Sequence, residues 1–271
     1  MEWRYLAAVA VSSLMVLCAC NTVPVSGSSD SHGGLNARPM LDMTGESAID
    51  RAAKAHIDLG MAYFQLGRFD IALDEANLIL TANNSFIPAA YHLRGLAYMM
   101  LNNPSAARDS FEKSVSGAPY DPDFNNSYGW FLCITNNYAE GVRRLGIAKV
   151  NPYYKYRSRP YANSGLCYLQ QQKIPEAIEE FQSALSFNPT DTTALFNMGK
   201  IYYDQADYVK ASYYLNALHR TSTFTPASLW LGVLTEKRLG KVADQLSYEK
   251  QLTSTFPDSE EADKLKQQQY E

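Results

Sequence analysis

Small and bulky apolar positions return along this chain with one period. Six glycines, Gly60, Gly95, Gly129, Gly165, Gly199 and Gly232, lie 33 to 36 residues apart. Three positions after four of them comes a tyrosine: Tyr63, Tyr98, Tyr168 and Tyr202. Nine positions after four of them stands a bulky residue, Phe69, Tyr138, Ile174 or Tyr208; twelve after, an alanine, Ala72, Ala107, Ala177 or Ala211. Pro119 and Pro189 fall 24 positions after their glycines. The spacing predicts two helices and a turn per unit. The glycine and the alanine let two antiparallel helices approach closely, and the rings fill the wedge between neighbouring hairpins. The prolines stop the second helix.

A period near 34 is that of the tetratricopeptide repeat (TPR), whose units bury their apolar faces only by stacking. The repeats read as 53–86, 88–121, 122–156, 158–191, 192–224 and 225–258. The expected fold is all-α: a right-handed TPR superhelix of about six helix–turn–helix repeats over 44–258, closed by a capping helix in 259–271. Asn103-Pro104, Asp121-Pro122 and Thr225-Pro226 each place a capping side chain before a proline at the first helical position. Repeats 3 and 6 depart furthest. Repeat 3 carries Leu132 for the tyrosine and Gly141 for the alanine; repeat 6 carries Thr235, Lys241 and Asp244 at the tyrosine, aromatic and alanine positions. A terminal repeat faces water and departs for that reason. The third has no such reason and is a candidate for a specialised role.

The solenoid occupies most of the 271 residues, so no second folded domain fits. A net charge of −4 and the lack of a basic run argue against a nucleic-acid partner. Residues 1–19 read as a leader: Arg4, an apolar run over 5–17, then Leu17-Cys18-Ala19-Cys20. That tetrapeptide resembles a bacterial lipobox with Cys20 as the lipidated residue; an ordinary signal peptide is the alternative. Residues 20–43 then form a Ser/Gly/Asn/Pro-rich tether, and Asn21 favours the outer membrane's inner leaflet by resemblance to sorting rules.

Cys133 and Cys167 lie on the first helices of repeats 3 and 4, 34 residues apart. An exported chain meets oxidising conditions, which favour a disulfide; two buried thiols are the alternative. No CxxC, HExxH, phosphate loop or GxSxG is present, and no nucleophile–base pair. His56 and His92 have no metal-ligand spacing around them. We expect no enzyme, cofactor, metal or small-molecule substrate.

First helices line the concave face of a TPR solenoid. Their groove positions give Ile57, Met61 and Phe64 in repeat 1, then His92, Leu96, Met99 and Met100 in repeat 2, and Trp130 in repeat 3. Such an apolar set reads as a partner site; packing of these side chains on one another is the alternative.

The run Asn125-Asn126-Ser127-Tyr128-Gly129-Trp130-Phe131-Leu132-Cys133 resembles the third repeat of the PilF/PilW lipoproteins, the type IV pilus biogenesis and stability proteins. Asn163-Ser164-Gly165-Leu166-Cys167, Ser228-Leu229-Trp230-Leu231-Gly232 and Phe256-Pro257-Asp258-Ser259 resemble them too. The resemblance implies an outer-membrane lipoprotein on the periplasmic face. It would bind the pilus secretin through its early repeats and promote secretin localisation or multimerisation, hence pilus assembly and twitching motility. The pair Cys133 and Cys167 fits the family pattern. A general envelope adaptor, serving β-barrel assembly or peptidoglycan enzymes, is the competing expectation.

Overall fold

The computed structural model describes residues 47–221 and 224–270. The leader, Cys20 and the tether lie outside them. Among the described residues the chain forms thirteen helices and no strand. They pair into six hairpins: α1 (Ala48–Gln65) with α2 (Phe69–Ile79), α3 (Ile87–Met100) with α4 (Pro104–Gly117), and α5 (Pro122–Ile134) with α6 (Tyr138–Lys149). Then follow α7 (Ser158–Gln170) with α8 (Ile174–Phe187), α9 (Thr192–Asp204) with α10 (Tyr208–His219), and α11 (Pro226–Arg238) with α12 (Val242–Thr255). A short α13 (Glu260–Lys266) packs Ala262 and Leu265 under the last hairpin.

Side-chain caps start many of these helices. Asn103, Asp121, Asp191 and Thr225 each accept a hydrogen bond from the third backbone N–H beyond them. Helix α1 starts five residues ahead of the repeat frame. Ser47 caps it, and the Asp50 carboxylate accepts from the backbone and hydroxyl of Ser85 in the next inter-repeat loop.

Each glycine of the period is the floor of a slot. A Cβ built on Gly95 would lie 2.6 Å from the Phe111 ring, on Gly165 2.6 Å from Phe181, and on Gly129 2.8 Å from Leu145. On Gly199 it would meet Leu215 at 2.9 Å and on Gly232 Tyr248 at 3.0 Å. All five occupants come sixteen positions after their glycine, on the second helix. Repeat 1 has Ala76 at that place, and there Leu93 of the next repeat reaches in, 2.5 Å from a Cβ on Gly60. In repeat 6 the slot holds a polar ring. The Tyr248 hydroxyl donates to Asn216 at 2.8 Å and meets His219 at 3.0 Å, and Asn216 donates to Ser212, which donates to the buried Glu236 carboxylate.

The turns inside the hairpins share a second device. Gly67, Asn102, Asn136, Gln172, Ala206 and Gly240 all have positive φ, between 55° and 74°. Glycine and asparagine take this conformation readily; alanine does so against its own Cβ. Ala206→Gly is therefore expected to stabilise the protein by about 0.5–1 kcal/mol despite glycine's larger chain entropy. Thermal unfolding followed by circular dichroism checks this; a lower midpoint would contradict it.

Stacking is asymmetric. Each first helix runs with its backbone close to the first helix of the next repeat, whereas successive second helices meet only through long side chains, as Lys149 with Glu180 and Tyr248 with Asn216. The first helices α1, α3, α5, α7, α9 and α11 thus form the closely spaced inner face.

Candidate functional site

The inner face is where a partner would meet the side chains of several repeats at once. Its apolar members in repeats 1 to 3 are half-buried rather than free. Ile57 packs on Ala53, Ile79 and Ala90; Met61 and Phe64 pack on Ala72, Ala76 and Leu93. Leu96 and Met99 pack against the cluster of Phe111, Phe131 and Leu132, and Trp130 against Cys133, Leu145 and Cys167. Met100 is the most accessible of the set at 42%. Apart from Met100, each of these residues thus spends one side on a core cluster and keeps the other at the surface.

His92 has a different place. Its ring lies 4.7 Å from Phe124 and 6.2 Å from Phe111, and Nε2 meets the Ser127 hydroxyl at 2.9 Å. Burial lowers its pKa to about 4, so the imidazole is neutral at pH 7. It is a wedge between repeats 2 and 3. His56 lies apart from it, with Nδ1 2.6 Å from the Glu75 carboxylate. Among the described residues no group of three or more His, Cys, Asp or Glu side chains could hold a metal ion.

Repeats 3 and 4 are the most strongly joined. Cys133 of α5 and Cys167 of α7 form a disulfide, with Cα atoms 5.4 Å apart. Beside it Asn163 donates to Asn126 at 2.9 Å. On the outer side Lys149 reaches both oxygens of Glu180 at 2.7 Å. Burial lowers the Lys149 pKa, and the Glu180 carboxylate opposes that shift. The Tyr154 hydroxyl donates to Asp123 at 2.7 Å. Gly141, the departure from alanine in repeat 3, is explained here: a Cβ on it would lie 2.6 Å from Cys133 Sγ and 3.0 Å from the Gly129 carbonyl oxygen. The sulfur occupies the volume that alanine takes in other repeats.

Hollows open on the described surface, two of them of similar size. One, of about 340 Å³, lies on the inner face between repeats 4 and 5, lined by Leu169, Ile174, Asn197, Lys200, Ile201, Asp204 and Gln205. Lys200 and Asp204 pair on its wall at 2.7 Å. It continues the apolar surface beyond the three repeats marked by the sequence. Leu169 and Lys200 stand on the first helices α7 and α9, whereas Ile174 is the first residue of the second helix α8. The other, of about 350 Å³, lies between α1 and α2 of the first described hairpin, where Ile49 and Leu78 are half exposed.

The comparisons agree with this architecture. Models of the tetratricopeptide repeat match residues 57–122 and 165–205. The chain is 29% identical over 214 residues to the type IV pilus assembly protein PilF of Pseudomonas aeruginosa, covering 78% of this chain and 83% of that one. Among solved structures it resembles PilW, described as a widely conserved type IV pilus biogenesis factor, at 26% identity and a TM-score of 0.69, covering 79% of this chain and 97% of that one. It resembles Pseudomonas aeruginosa PilF at 26% identity and a TM-score of 0.68, covering 82% and 100%. A TPR protein of Thermus thermophilus, at 19% identity and a TM-score of 0.55 over 69% of this chain and 99% of that one, shares the fold alone.

Proposed function

We propose, from the premise that this chain is a TPR homologue of PilF and PilW, that it acts in type IV pilus assembly as a protein-binding scaffold. The similarity to PilF and PilW over more than three quarters of the chain is the observation that carries this reading. Its finer form is that the inner face binds an apolar segment of the pilus secretin and promotes secretin multimerisation. Cys20 would carry the lipid that holds the scaffold at the periplasmic face of the outer membrane, and the leader and tether read from the sequence support that placement. The inner face supports the secretin reading because half-buried Met61, Phe64, Met99 and Trp130 and exposed Met100 present apolar surface across three repeats. Methionine side chains repack around a partner at little cost. The rigid joint of repeats 3 and 4 would hold the surface in one curvature, so that less order is lost on binding.

Met100→Glu together with Met61→Gln tests the secretin reading. Both positions keep an open side, so the fold should survive, as helical circular dichroism would verify. The secretin multimer recovered from membranes should fall several-fold, with surface pili and twitching falling in step. Full multimer in a folded variant would refute the groove as the secretin site. General loss of β-barrel proteins in a deletion strain would favour an envelope adaptor instead.

A further inference from the structure

The loop between α6 and α7, residues 150–157, is the longest of the described inter-repeat connections, and with the first turn of α7 it gathers three exposed cations. Most exposed cations elsewhere have a carboxylate: Lys113 with Asp109, Lys200 with Asp204, Lys210 with Asp207. Lys155, Arg157 and Arg159 are exposed and, among the described residues, enter no ion pair. They lie over aromatic rings instead. Arg159 stands 3.8 Å above Tyr156, Arg157 4.2 Å above Phe187, and Lys155 5.3 Å from Tyr156. A guanidinium held over a ring is pre-ordered and can still turn N–H groups toward an anion, although Arg159 spends one on the Tyr154 hydroxyl. In the sequence these cations alternate with tyrosine and serine, so no basic run is visible.

The loop also carries apolar surface that no described residue covers. Tyr153 is 95% exposed and Val150 78%. Tyr120, 81% exposed, lies in the preceding inter-repeat loop. Asp123 accepts from Tyr154 and Asp121 caps α5; both keep their charge, so the three cations stand against two nearby carboxylates. The feature protrudes and encloses nothing, unlike a pocket for a peptide or a small ligand. Apolar tips inside a collar of cations suit the headgroup layer of a bilayer, where tyrosine rings concentrate and each basic residue gains about 1 kcal/mol from anionic lipid.

We propose that this loop is a second membrane contact, by which the solenoid lays one edge on an anionic phospholipid surface. With the remaining charge of the chain negative, the loop would orient the molecule, separately from any lipid on Cys20. The proposal is independent of the secretin reading.

Flotation of the full-length chain with vesicles is the test. One set is pure phosphatidylcholine and the other contains 30 mol% phosphatidylglycerol, roughly the anionic fraction that gives such a surface its charge. An N-terminal anchor binds both sets, so the ratio of affinities isolates the loop. The wild type should prefer the anionic vesicles by about tenfold or more at low salt. Lys155→Glu, Arg157→Glu and Arg159→Glu together should abolish the preference, and Tyr153→Ser should weaken binding to both sets. An unchanged preference in the folded triple variant would overturn the proposal. So would a wild type without preference, including one whose loop instead captures a soluble acidic peptide such as polyglutamate.

Discussion

Replacing Phe181 by alanine is expected to destabilise the protein by about 3–5 kcal/mol, the usual cost of deleting a fully buried ring. Phe181 is 0% exposed and fills the slot over Gly165, among Ala162, Ala177, Ala184 and Met198. At roughly 2–4 °C per kcal/mol for a chain of this size, the unfolding midpoint should fall by about 10 °C. The damage should also be local. Repeats touch only their neighbours, so hydrogen exchange should quicken in α7 to α9 before α1 to α4. The inverse change belongs to the same prediction: Gly165→Ala places a methyl 2.6 Å from the same ring and should cost about 2–3 kcal/mol. Combining Gly165→Ala with Phe181→Leu should recover part of the loss, because the two substitutions share one volume. Strict additivity in denaturant titrations would show that glycine and ring do not share the slot.

The second large effect lies at the joint of repeats 3 and 4. The Cys133–Cys167 bridge spans 34 residues and, in the chain-entropy account, stabilises by about 3–4 kcal/mol. Cys133→Ala with Cys167→Ala, or reduction of the wild type, should lower stability by about that much. The helices should remain, since Asn126–Asn163 and Lys149–Glu180 still cross the joint. Gly141→Ala distinguishes a passive glycine from one that makes room for the sulfur. Its methyl would press on Cys133 Sγ, so it should cost about 2–3 kcal/mol in the oxidised protein and clearly less once Cys133 is alanine. Equal costs in both backgrounds would remove the sulfur as the reason for Gly141. Differential scanning calorimetry with and without reductant measures each contribution.

The repeat pattern was open to reading because each of its elements is local or strictly periodic. A glycine that returns every 33 to 36 residues marks close approach of two helices wherever it stands, and the capping pairs at Asn103, Asp121 and Thr225 mark helix starts on their own. The slot occupants Phe111, Leu145, Phe181, Leu215 and Tyr248 are periodic as well, yet the pattern hides them. Size alone links them, and Ala76 breaks the series where Leu93 crosses from the next repeat. The left-handed turn residues are harder still: Gly, Asn, Gln and Ala share no side-chain chemistry, and only the backbone shows that they do one job.

The sequence by itself determined the repeat unit, the number of hairpins and which helices carry the apolar positions, because these follow from periodicity within about 34 residues. It marked repeat 3 as exceptional without a reason. Tertiary structure supplied the reason, a sulfur from α5 in the place of a methyl on α6. It also decided that most inner-face apolar residues are half-buried in the joints, that His92 is a neutral wedge, and that three cations of one loop and the first turn of α7 stand on rings rather than on carboxylates. Each of these depends on which side chains from a different repeat arrive at a given point. The angle at which hairpins stack fixes that, and no local pattern encodes it.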